Sequence, residues 1–127
     1  MATRPLAVAV VEDDPSMRRS IERLLKAHGF AAHAYASAEE FLGGDRADEA
    51  FCLVLDIHLG GMSGIELNSR LTASGSALPV IFITAMDDEE LEARAIETGC
   101  LAYLHKPFPA ELLIGAVNKA LPNSQAS

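Results

Sequence analysis

Basic residues are scarce in this 127-residue chain: ten Lys and Arg stand against eighteen Asp and Glu, a net charge of -8. A surface for nucleic-acid phosphates needs clustered Lys and Arg, so direct nucleic-acid binding is not expected. Long apolar runs are also missing. LAVAVV, at residues 6–11, is far too short to span a bilayer and meets Glu12, Asp13 and Asp14 at once. Neither a signal peptide nor a membrane anchor fits, and a cytoplasmic protein is expected. Cys52 and Cys100 lie in separate apolar segments without CxxC spacing, which predicts two buried thiols rather than a disulfide or redox pair. No internal repeat or low-complexity block occurs.

What is present has the balance of one compact domain, with 50% hydrophobic and 22% charged residues. Five short apolar runs, at residues 6–11, 31–36, 51–55, 79–84 and 101–104, read as strands. The second, AAHAYA, is mostly alanine and the weakest of them. Helical spacing separates the runs. Met17, Ile21, Leu24, Leu25 and His28 share one face before Gly29 stops the helix, and Ser37 with Glu40 forms a capping-box pattern. Ser63 can cap a third helix carrying Leu67 and Leu71, and Asp87 or Asp88 a fourth carrying Leu91, Ala95 and Ile96 up to Gly99. Leu112, Leu113, Ala116, Val117 and Ala120 give the last helix its stripe. Strands alternating with helices predict an α/β fold with a parallel sheet covered on both faces. Residues 1–121 form the expected domain, and 122–127 a polar tail or the start of a linker.

The carboxyl ends of parallel strands share one edge, where ligands bind. The first strand ends on Glu12, Asp13 and Asp14, the third on Asp56 and the fourth on Thr84, while Lys106 follows the fifth. Acids gathered in this way repel, so they need a cation or raised pKa values. An all-oxygen set suits Mg²⁺ better than Zn²⁺, and Mg²⁺ commonly shares its shell with phosphate oxygens. An ionised Asp can attack phosphorus, while Lys106 and Thr84 can bind phosphoryl oxygens. Asp14 reads as a helix cap or a surface acid, and Arg18 and Arg19 as a solvated helical face. His28, His33 and His105 share no metal-ligand spacing and read as surface or packing residues.

VVEDD, LVLDIHLGGMSG, FITA and LHKPF together resemble the response-regulator receiver domain of two-component signalling, in that family's order and spacing. The resemblance covers nearly the whole chain and implies a single (βα)5 flavodoxin-like doubly wound domain, with a five-stranded parallel sheet in the order 2-1-3-4-5. It implies Asp56 as phosphoacceptor, with Glu12, Asp13, Asp56 and the backbone carbonyl of His58 around Mg²⁺, or Mn²⁺. Thr84 and Lys106 are implied to bind the phosphoryl oxygens, Tyr103 to act as a switch aromatic with Thr84, and Lys106–Pro107 to be a cis peptide. The implied partners are a histidine kinase or phosphotransfer protein and, through the face of helix 4, strand 5 and helix 5, a second copy or a downstream protein. Such a receiver catalyses only its own phosphorylation and dephosphorylation and is not otherwise an enzyme.

Two positions depart from the pattern or colour it. Gly60 stands where that family commonly has proline, which predicts a looser turn after Asp56. Met86, two residues after Thr84, cannot orient an attacking water, which predicts slow loss of the phosphoryl group. Two other functions compete. A hydrolase-type phosphatase with an aspartyl nucleophile usually carries a second acid two residues on, where this chain has His58. A phosphate-independent interaction module on a receiver scaffold predicts loss of the acids or the lysine, and all are present.

Overall fold

The computed structural model describes residues 6–44 and 49–122. Five strands, β1 (Ala7–Val11), β2 (Ala31–Tyr35), β3 (Ala50–Asp56), β4 (Val80–Thr84) and β5 (Ala102–His105), form one parallel sheet in the order 2-1-3-4-5. They alternate with α1 (Pro15–Ala27), α2 (Ala38–Gly43), α3 (Gly64–Ala73), α4 (Glu89–Glu97) and α5 (Ala110–Ala120). The alanine-rich segment is a regular edge strand, paired with β1 from Ala7↔Ala31 to Val11↔Tyr35. Of the tail 122–127, only Pro122 is among the described residues.

β1 and β4 are buried along their whole length and β3 over its last five residues, as a strand covered on both faces must be. Side chains alternate between two cores, following the period-two geometry of a strand. Val8, Val10, Cys52, Val54, Ile81 and Ile83 pack with α1 and α5 through Ile21, Leu25, Leu113 and Val117. Ala9, Val11, Leu53, Leu55 and Phe82 pack with α2, α3 and α4 through Phe41, Leu67 and Ala95.

The helix ends follow local chemistry. Asp14 caps α1 by accepting from the Ser16 amide, Ser37 caps α2 through Glu40, Ser63 caps α3 through Glu66, and Asp88 rather than Asp87 caps α4. Gly29 and Gly99 adopt positive φ just beyond α1 and α4. Three expectations need correction. Ile96 and Leu112 face outward, 57% and 53% exposed, because one stripe of each helix is enough to meet the sheet and Ile114 takes the inward place on α5. Cys52 is buried, whereas Cys100 is only half-buried, since it follows the α4 stop and precedes β5 outside the sheet. Arg18 is half-buried rather than fully solvated: its guanidinium reaches back to donate to the Glu12 carbonyl at 2.8 Å, while Arg19 is exposed.

Candidate phosphoryl and metal site

The carboxyl ends of β1, β3, β4 and β5 bring the expected residues to one edge. Asp56 is the last residue of β3 and Thr84 the last of β4. Because Asp56 pairs with Ile83, Thr84 lies one step further along the neighbouring strand. Glu12 follows β1, and its amide continues the ladder to the Tyr35 carbonyl at 3.0 Å. Lys106 follows β5, anchored by its amide to the Thr84 carbonyl at 2.7 Å. The Lys106–Pro107 peptide is cis.

Glu12, Asp56 and Thr84 are buried and Asp13 is exposed, yet the carboxylate oxygens of Glu12, Asp13 and Asp56 come within 4.8 Å of one another. Lys106 is the cation that holds two of them. Its Nζ donates to Glu12 Oε1 at 2.7 Å and to Asp56 Oδ2 at 3.2 Å. The second oxygen of each acid accepts from a backbone amide, Glu12 Oε2 from Asp14 and Asp56 Oδ1 from His58, both at 3.1 Å. Thr84 Oγ1 accepts from the Met86 amide at 3.1 Å, which leaves the hydroxyl proton able to point elsewhere.

Burial pushes the Glu12 carboxyl up to about 7, with the Asp56 carboxylate adding to the rise against the Lys106 and Asp14 hydrogen bonds. Burial works against the Lys106 ammonium, but the Glu12 hydrogen bond and the Asp56 charge outweigh it and leave its pKa raised. The site therefore holds more acid than its lysine can neutralise. Three carboxylates from two strand ends form an oxygen-only donor set whose ligand atoms lie within 4.8 Å of one another, so the residues present fit Mg²⁺.

Tyr103, in β5, is half-buried and packs against the α2–α3–α4 core; its hydroxyl is buried without a hydrogen-bond partner among the described residues. Its ring meets His105 edge-on at 5.3 Å. Burial and the charges of Glu92, Asp88 and Asp87 raise the phenol pKa. His28 and His33 stay apart from the site: His28 closes α1 against the Leu24 carbonyl and His33 lies 3.5 Å from Glu49. His58 contributes its amide to Asp56, and its side chain is exposed.

Three residues near the site were not read as part of it from the sequence. Arg18 braces the Glu12 carbonyl, and a cation in the first turn of a helix that follows an acid cluster was the available signal. Gly64 lets α3 start directly against β3: a Cβ there would clash with the Asp56 carbonyl oxygen. Glu39 of α2 accepts from the Met62 amide at 3.0 Å, a contact across 23 positions that only the topology creates.

The family model of the response regulator receiver domain matches residues 8–118. The chain is 40% identical over 116 residues to nodulation protein W of Bradyrhizobium diazoefficiens, covering 91% of this chain and 51% of that protein. It is 35% identical to the transcriptional regulatory protein FixJ of Azorhizobium caulinodans, covering 94% of this chain and 56% of that one. The crystal structure of a response regulator receiver protein from Burkholderia phymatum is similar at a TM-score of 0.78 with 42% identity, covering 91% of this chain and 94% of that chain. The chain spans about half the length of these two curated relatives.

Proposed function

The chain belongs to the response-regulator receiver family, and on that premise we propose that it takes a phosphoryl group onto Asp56 from the phosphohistidine of a histidine kinase or phosphotransfer protein. The observation that carries this reading is the Asp56 carboxylate at a strand end, 3.2 Å from Lys106 and clustered with Glu12 and Asp13. An ionised Asp56 oxygen attacks phosphorus; the new P–O bond forms as the P–N bond breaks, and the donor imidazole leaves with the bond's electron pair. Lys106 already faces the attacking carboxylate and can follow the charge onto the phosphoryl oxygens. Thr84, its oxygen accepting from the Met86 amide, can turn its hydroxyl proton to the same group.

Glu12, Asp13, Asp56 and the His58 carbonyl are the residues we assign to Mg²⁺ or Mn²⁺. When bound, that ion neutralises charge on the phosphoryl oxygens. Glu12 and Asp13 keep the carboxylate cluster in place, and the Asp14 and His58 amides orient its second oxygens. As Thr84 moves toward the phosphoryl group, Tyr103 shifts with it and changes the face of α4, β5 and α5, where Ile96, Leu101 and Leu112 are exposed. That face is the one we assign to a downstream partner or a second copy. Met86, half exposed beside Thr84, offers no group to orient water, so the phosphoryl group is lost slowly.

Catalysis of this kind serves the chain's own modification. No helix is long and apolar enough to cross a membrane among the described residues. We place the protein in the cytoplasm, with residues 1–121 as the receiver and 122–127 as a tail or the start of a linker. Incubation with a small-molecule phosphodonor tests the reading by intact mass. A gain of one phosphoryl group that requires Mg²⁺ and is absent in Asp56→Asn is expected. No gain, or equal gain in both proteins, contradicts it.

A further inference from the structure

The loop from β3 to α3 runs from Asp56 through His58, Gly60 and Gly61 to the Ser63 cap. Its two ends are fastened, because the Gly64 amide donates to the Ile57 carbonyl at 3.0 Å and the His58 amide to Asp56. Its tip has little stiffness of its own: Gly60 has open space around its Cα, and Gly61 sits at φ +82°. One side chain from another element reaches that tip. Glu39, in the first turn of α2, accepts from the Met62 amide at 3.0 Å, and a Cβ on Gly61 would lie 2.9 Å from the same carboxylate oxygen. The Met62 amide, Glu39's own amide and, more weakly, the Arg70 charge hold the Glu39 carboxyl below its ordinary pKa, so it is ionised and a strong acceptor.

We propose that Glu39 is a positioning residue for the metal site: by latching Met62 it holds the glycine-rich loop, and with it the His58 backbone, in the arrangement that accepts the ion. This rests on the assignment of the His58 carbonyl to the metal shell. The closeness of Gly61 to Glu39 is part of the device, since the absent Cβ lets the carboxylate reach the amide behind it. A glycine pair confers freedom that a cation would otherwise have to remove on binding. The latch removes it beforehand, which is preorganisation.

Glu39 is exposed, so its replacement leaves the core intact. Two measurements on the full chain test the latch: amide exchange without metal, and Mg²⁺ titration followed by NMR. In Glu39→Ala the Met62 amide is expected to exchange about fivefold faster or more. The amides of β3 keep their wild-type rates, and Mg²⁺ binds roughly three- to tenfold more weakly at an unchanged melting temperature. Glu39→Gln, which keeps an acceptor oxygen, stays near wild type, and adding Gly60→Ala to Glu39→Ala recovers part of the affinity by stiffening the loop. Unchanged Met62 exchange in Glu39→Ala overturns the latch, and faster exchange with unchanged Mg²⁺ affinity overturns its role at the metal site. A wild type that binds no Mg²⁺ overturns the metal assignment itself, and the exchange arm, run without metal, still judges the latch.

Discussion

Lys106 bridges two carboxylates that are buried at the sheet edge, with Glu12 at 2.7 Å and Asp56 at 3.2 Å. Among the described residues each of these acids also accepts from one backbone amide, and the ammonium is the cation that compensates their charge. Removing one member of such a group leaves the others desolvated and unpaired, which costs more than the pairing itself contributes. Lys106→Met is expected to cost the metal-free protein about 2 kcal/mol in urea unfolding with chelator present, with Mg²⁺ restoring part of the loss. Unchanged stability contradicts the bridge. The acids, the threonine and the lysine were all legible in the sequence, because each directly follows or ends an apolar run whose direction fixes where its side chain emerges. Arg18 and Glu39 were not, because their partners are backbone groups that sequence patterning does not locate.

α3 starts directly against the end of β3. Gly64 is buried, and an added Cβ would clash with the Asp56 carbonyl oxygen and lie 3.0 Å from the Ile57 Cα, both backbone atoms that cannot step aside. Gly64→Ala therefore has to push α3 away from the end of β3. It is expected to cost about 2–4 kcal/mol and to weaken Mg²⁺ binding, read by thermal unfolding and titration, because the displaced backbone carries Asp56. A variant as stable as wild type contradicts that packing. The caps at Ser37, Ser63 and Asp88 and the stops at Gly29 and Gly99 could be read in advance, since a cap is satisfied within a few residues of itself. The outward turn of Ile96 and Leu112 could not. Both helices carry more apolar residues than one sheet face can cover, and which of them is left outside depends on packing across the sheet. Gly60 presents the same division: its flexibility is written in the sequence, but the hold that α2 exerts on the neighbouring Met62 is not.

Across the whole molecule, one sheet separates two cores, and every strand but the edge ones is buried on both faces. Alternation of strands and helices made that layering legible, whereas the order 2-1-3-4-5 came with the family pattern rather than from periodicity. Cys52 lies in the α1–α5 core, where burial pushes its thiol up to about 12, while Cys100 is half-buried outside the sheet. At pH 8 a thiol reagent is expected to label Cys100 first and Cys52 only as fast as the molecule unfolds. Equal labelling rates contradict the enclosure of Cys52 in the α1–α5 core. The same layering leaves one edge for chemistry, and the central claim is that Asp56, at that edge, is the residue that carries the phosphoryl group. The most direct test is to phosphorylate the protein with a small donor and Mg²⁺, reduce it with borohydride and sequence the peptides by tandem mass spectrometry. Homoserine at position 56 alone is the expected result; homoserine at position 13 or 14, 5-hydroxynorvaline at position 12, or no reduced residue contradicts it.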